Sequence, residues 1–274
     1  MTELRPNQSV KLLQELHILT RDGKLNHDSR RKLKQVYHLF NFIEPLLKEL
    51  SEAADKTNQN FSLVDHGAGK SYLGFILYDL FFKELGNGTI YGIETRDELV
   101  KKSTELARAC QFERMKFLNL SVADSITDSA LPEKVDIVTA LHACNTATDD
   151  AIKFALEKQS QFIVLVPCCQ AEVASVLRKN KSQAMANSSL SELWRHPLHT
   201  REFGSQITNV LRCLTLESHG YQVTVTELVG WEHSMKNEII IARLNRDTNK
   251  KKAAQKLEEL INELGLSELK DRFQ

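Results

Sequence analysis

VDHGAGKSYLGF, residues 64–75, carries two signals at once. It holds G-K-S, the tail of a phosphate-gripping P-loop, and D-x-G-x-G, which opens many nucleotide-binding turns. With Gly69, Lys70 and Ser71 as the tail, the first glycine of a P-loop falls on Val64. A β-branched side chain there crowds a loop that must fold tightly around phosphate, and Asp65 adds a carboxylate beside it. The dinucleotide pattern G-x-G-x-x-G fits Gly67 and Gly69 but meets Tyr72 at its third position. A glycine there lets helix and sheet approach beside a pyrophosphate. The stretch therefore reads as a glycine turn for a nucleotide-like ligand that has no pyrophosphate.

The flanks agree with that reading. FSLVD (61–65) is a short apolar run and reads as a strand, and KSYLGFILYDLFFKEL (70–85) reads as a helix. The next strand, TIYGIE, ends on Glu94, close to the acidic position of a βαβ nucleotide site. A carboxylate there accepts both hydroxyls of a ribose and repels the extra phosphate of NADP. S-adenosyl-L-methionine (SAM) meets these demands and is the expected cofactor. Its candidate contacts are Asp65, His66, Gly67, Gly69, Lys70, Ser71 and Glu94. The adenine side is expected at Leu120–Asp124, with Ser121 and Val122 as neighbours.

Strand and helix patterns continue to alternate through MKFLNL, KVDIVTALHA, TATDDAIKFALEK and QFIVLVP, which predicts a parallel sheet covered on both faces. A helix through SQITNVLRCLTLESHG stops at Gly220. YQVTVTELV and NEIIIARL then follow with a connection too short for a crossover helix, so they should pair antiparallel. The fold class is α/β: a Rossmann-like, seven-stranded class I methyltransferase sheet, mostly parallel with an antiparallel last strand, plus an N-terminal helical segment. Expected boundaries are a helical appendage at 1–55, the SAM-binding domain at 56–247 and an amphipathic C-terminal helix at 248–274. In the appendage Ser29 is the expected cap of a second helix that Pro45 kinks or splits, and SEAADKTNQN (51–60) reads as a linker or loop.

Composition sets broad limits. The 274 residues are 42% hydrophobic and 26% charged, with zero formal net charge. That suits a folded globular chain and excludes a global basic field for nucleic acid, leaving local patches. The five cysteines are odd in number and two are adjacent, which argues for a reducing compartment rather than a disulfide framework. No apolar run approaches the roughly 18 residues of a membrane span, so a cytoplasmic protein with no membrane association and no stable protein partner is expected.

The fourth strand runs into LHACNTATDD (141–150) and the fifth into LVPCCQAE (165–172). Ligands of open α/β sheets sit beyond such strand ends, so His142, Asn145, Thr146, Asp149, Cys168, Cys169 and Gln170 should gather there. The boxes DHGAGKSYLGF, ALHACNTATDDAI, VPCCQAE and EHSMKN, in this order, resemble a small class I methyltransferase-domain family with GAGKSYL, HACDTATD and PCCQ boxes. That family is itself similar to eukaryotic tRNA 2′-O-methyltransferases of the acceptor stem, which have GAGKG, HLCG-x-ATD and CCHH elements. The resemblance spans roughly residues 30–245. It implies a SAM-dependent methyltransferase and points to RNA as substrate. Asn145 stands where the family has Asp, and Gln-Ala follows the cysteine pair where the distant relatives have His-His.

Methyl transfer from a sulfonium is an in-line displacement with nucleophile and carbon held about 3 Å apart. The catalytic candidates are His142, Asn145, Cys168 and Cys169. His142, which also borders the cofactor, serves either as a base or as a loop hydrogen-bonding group. The cysteine pair reads three ways: a covalent nucleophile, zinc ligands with His142 and Cys144, or small buried residues beside the cofactor. No metal is assigned. Gln170, His233, Lys236 and Asn237 are the substrate-side candidates. Two basic stretches, 21–34 and 243–256, could follow an RNA backbone or be solvated helix faces. Other readings stay open: a catalytically weak scaffold that binds SAM or a nucleotide, a methyltransferase for a protein or small molecule, and a nicotinamide oxidoreductase.

Overall fold

A computed structural model describes residues 4–141, 146–167, 170–179, 192–193, 195–228, 238–245 and 247–273. The run after Phe61 forms β1 (Ser62–His66), buried at every position. It is followed by α3 (Tyr72–Leu80), β2 (Thr89–Glu94), α4 (Asp97–Ala109), β3 (Met115–Asn119) and the single turn α5 (Val122–Ser125). The chain continues through β4 (Ile137–Leu141), α6 (Ala147–Glu157), β5 (Phe162–Val166), α7 (Glu172–Lys179) and α8 (Pro197–Ser218). It ends with β6 (Tyr221–Glu227), β7 (Glu238–Leu244) and α9 (Lys250–Glu263). Ahead of the sheet lie α1 (Val10–Glu15) and α2 (His27–Thr57).

The sheet has seven strands in the order β3-β2-β1-β4-β5-β7-β6. The first five are parallel, and β7 runs antiparallel to both β5 and β6. The expected antiparallel pairing is present, but the last strand in sequence is not the last in the sheet. Ile239, Ile240 and Ala242 of β7 are fully buried, whereas most of β6 beyond Tyr221 is exposed. A strand apolar on successive residues needs cover on both faces, and the clusters on the two sides of the sheet supply it, Ile239 packing in one and Ile240 and Ala242 in the other.

One face of the sheet carries α1, α2, α3 and Ala107 of α4 in a single apolar cluster with Leu63, Ile137 and Phe162. The other carries α6 together with Leu216 of α8, packed on Val64, Val138 and Ile163. Helices α7, α8 and α9 form a third cluster around Leu211, Leu257 and Ile261.

The N-terminal helices depart from the sequence expectation in three respects. Asn26, not Ser29, caps α2, its Oδ1 accepting from the Ser29 amide at 2.8 Å. The helix runs unbroken through Pro45, and Ser51–Thr57 belong to it rather than to a linker. Phe40, Ile43, Leu47, Leu50 and Ala54 are buried along one stripe on both sides of the proline. An interior proline costs about 3 kcal/mol, and each buried apolar side chain returns about 1.5–3 kcal/mol, so packing wins. Asn58, left-handed at φ 52°, ends the helix.

Candidate active site

Between β1 and β4 the strand order reverses direction, the position at which open α/β sheets bind ligands beyond their carboxyl ends. The glycine turn leaves β1 there. The Ala68 amide donates to the Ile93 carbonyl at 3.1 Å, carrying the β1–β2 ladder past the strand. Gly67 and Gly69 have φ of 63° and 58°, a region that glycine enters without penalty.

Gly69 and Glu94, 25 residues apart, meet directly: the Gly69 amide donates to Glu94 Oε2 at 2.8 Å. The same carboxylate accepts from the Arg96 amide at 3.1 Å and from Arg96 Nε at 3.0 Å. Burial by itself raises the Glu94 carboxyl, but the hydrogen bonds from Arg96 and Gly69 and the Arg96 charge outweigh it and hold the group below its ordinary range. Glu94 is thus an ionised acceptor beside two side-chain-free positions. Asn119 Nδ2 donates to the Glu94 carbonyl at 3.1 Å and the Thr95 carbonyl at 2.8 Å, tying the tip of β3 to that of β2. Beyond Asn119, Ser121 caps α5 by accepting from the Asp124 amide at 3.1 Å, and Val122 packs on the apolar cluster beneath. Arg96 and Asn119 were not candidates from sequence, since neither belongs to a motif; an arginine two residues past the strand-tip acid was the one signal available.

Asp65 and His66 lie beneath the turn. Asp65 is buried and accepts from Thr139 Oγ1 at 2.7 Å. Burial pushes its carboxyl up to about 7. His66 packs edge-on against Phe154 at 4.4 Å, and burial lowers its imidazole to about 3. Ser71 opens α3 in a left-handed conformation at φ 51°, and Lys70 beside it is exposed. Because the folded pKa of Asp65 lies above its unfolded value, its contribution to stability is complete below pH 3.8 and lost as pH rises to about 7. Asp65→Asn keeps an acceptor for Thr139 without the charge. Its stability relative to the unsubstituted protein should climb with pH between those limits and level off above them, as read by urea titrations across pH.

A second group joins the ends of β4, β5 and β7. Arg212 of α8 is 1% exposed and grips Asp149 of α6 with two hydrogen bonds, Nε to Oδ1 at 2.5 Å and Nη2 to Oδ2 at 3.1 Å. Its Nη1 donates to Gln170 Oε1 at 3.3 Å and to Asn209 Oδ1 at 3.2 Å. Asn209 in turn donates to Glu238 Oε2 at 2.5 Å. Thr146 stands at the start of α6, whose first turn holds Asp149. Asp149 and Gln170 therefore meet through Arg212, which the sequence reading missed. Gln170 is buried and donates its amide to the Ser205 carbonyl at 3.0 Å, which engages it on α8. His142, Asn145, Cys168, Cys169, His233, Lys236 and Asn237 lie outside the described residues, as does Cys144. Among the described residues no group of three or more His, Cys, Asp or Glu side chains could hold a metal.

A doubly wound sheet with one antiparallel strand next to its edge, a glycine turn after β1 and an ionised acid at the tip of β2 define a class I methyltransferase. Residues 31–176, more than half of the chain, match the family model described as a methyltransferase domain, and the chain belongs to that family. It is an enzyme, and its methyl donor is SAM. The residues present fit that donor: Gly67 and Gly69 leave room for close approach, and Glu94 supplies an ionised acceptor for ribose hydroxyls.

Among solved structures, an SAH-bound Podospora anserina methyltransferase is 12% identical with a TM-score of 0.45, covering 86% of this chain and 87% of that one. A Streptococcus thermophilus rRNA methylase is 8% identical with a TM-score of 0.42, covering 68% and 87%. A Methanococcus jannaschii fibrillarin is 11% identical with a TM-score of 0.41, covering 68% and 67%. Likenesses this distant bear on neither chemistry nor substrate. Among curated proteins no match is found. No helix among the described residues is long and apolar enough to cross a membrane.

Proposed function

We propose that this enzyme methylates RNA, tRNA or rRNA, by in-line transfer. The observation that carries the reading is the meeting of Gly69 and Glu94 at the switch point, with the ends of β4 and β5 paired beside it, Leu141 opposite Val166. The boxes HACNTATD and PCCQ follow those two ends in sequence, and their resemblance to the boxes of tRNA 2′-O-methyltransferases supports an RNA acceptor. SAM, when bound, supplies an electrophilic methyl group. The chain's part is to clasp the ribose with Glu94, to approach the ligand through Gly67 and Gly69, and to orient the acceptor beyond β4 and β5. His142, in the first box, is the candidate to take the acceptor's proton, and Asn145, Cys168 and Cys169 are the other catalytic candidates.

The test is incubation of the purified chain with tritium-labelled SAM and, separately, total cellular RNA, total protein and a small-molecule extract. Label that is acid-insoluble and sensitive to ribonuclease is the expected result. Label in the protein or small-molecule fraction, or in none of the three despite SAM binding, would overturn the RNA reading.

A further inference from the structure

We infer that RNA lies along the N-terminal segment around Arg21, Lys24 and Lys34, and that the second basic stretch takes no part; the inference rests on RNA being the acceptor. Composition makes the two stretches equivalent, but the topology does not. Helix α2 ends at Thr57 and the chain enters β1 at Ser62, so the carboxyl end of α2 lies at the sheet edge opposite the strand tips. Glu49, near that end, pairs with Arg243 at 2.7 Å, and Arg243 stands opposite Phe162, the first residue of β5. Lys250 follows close by, its side chain beside Gly220 ahead of β6. Arg243 and Lys250–Lys252 therefore occupy the far edge. Lys34 precedes Glu49 by 15 residues of continuous helix, about 22 Å at 1.5 Å per residue, which carries it toward the strand tips.

The surface between the glycine turn and this segment is grooved. A cavity of about 500 Å³ is lined by Lys70 and Tyr72 of the turn, Lys102 of α4, and Glu15 and His17 at the end of α1. Glu15 and His17 also line a second cavity of about 470 Å³ that reaches Arg21. A third, of about 380 Å³, holds Lys34 and His38. Glu15 and Glu105 give the first cavity mixed charge and Glu15 also borders the second, so the run that follows phosphates begins beyond it, at Arg21. Arg21, Lys24 and Lys34 are exposed, and none has an ion pair among the described residues. Exposed cations without ion pairs, two of them lining neighbouring cavities, are what a polyanionic backbone binds through release of its counterions.

The test compares two matched triple variants of the full chain, R21A/K24A/K34A and K250A/K251A/K252A. Binding of a fluorescein-labelled RNA hairpin is followed by anisotropy over a potassium chloride series. All six side chains are exposed, so the melting profile of each variant serves as a check on folding. The first variant should bind on the order of tenfold more weakly at low salt, with a log–log salt slope shallower by about 2 to 3. The second should stay within about twofold of the unsubstituted protein. Equal losses, a loss confined to the second variant, or no loss in either would overturn the N-terminal track and leave the RNA reading standing. An unsubstituted protein that binds S-adenosylhomocysteine but not the hairpin would overturn both.

Discussion

Arg212→Met will destabilise the protein by about 3–5 kcal/mol, because it leaves the Asp149 carboxylate buried without its cation. The side chains of Arg212 and Asp149 are 1% and 6% exposed, so water cannot replace the lost partner. Gln170 and Asn209 lose a donor in the same step. For a chain of this size the melting temperature should fall on the order of 10 °C. The double variant Arg212→Met with Asp149→Leu removes both charges, and apolar replacements of a buried pair are often neutral or better. It should therefore recover most of the loss. Urea titrations of the two single variants and the double measure the coupling. A single variant as stable as the unsubstituted protein would mean that the pair is solvated. Because the network spans α6, Gln170 and Glu238, the single variant should also slow turnover by loosening the segments that flank the catalytic boxes.

Glu94→Ala will weaken SAM binding by about 2–3 kcal/mol, on the order of a 30- to 150-fold rise in Kd. Hydrogen bonds to a charged acceptor are worth about 1.5–3 kcal/mol each, and a ribose presents two hydroxyls. The gain is discounted because the carboxylate already accepts from Gly69 and Arg96, so the ligand exchanges partners rather than finding a bare charge. Glu94→Gln keeps an acceptor but loses the charge, and should fall between. Isothermal titration with SAM and S-adenosylhomocysteine reads both. An unchanged Kd for Glu94→Ala would show that the ribose is held elsewhere and that the turn at 64–75 binds a different ligand.

How much was legible depended on how local the signal was. Gly67, Gly69 and Glu94 could be assembled from spacing, because a βαβ unit fixes how far the chain travels between a glycine turn and the next strand tip. Arg96 and Asn119 support the same acid through contacts that no motif encodes. Arg212 was invisible for a sharper reason: an arginine in the middle of an amphipathic helix reads as solvated, and only its burial and its two hydrogen bonds to Asp149 of α6 show it to be enclosed. The linker expected at 51–60 was misread because the polar stretch Ser51–Thr57 hides two inward positions, Ser51 and Ala54, which continue the buried stripe of α2.

By itself the sequence determined the alternation of strand and helix, the antiparallel pairing of β6 with β7, the glycine turn and its acid. All of these follow from hydrophobic period, turn chemistry and chain length, properties of contiguous residues. The tertiary structure alone decided that β7 enters the sheet between β5 and β6, that α2 runs through Pro45, and that Asp149 and Gln170 converge on Arg212. It also decided which basic stretch lies toward the strand tips. Each of these is a choice among partners distant in sequence, settled by which arrangement buries the most apolar surface and pairs the enclosed charge of Arg212 with Asp149.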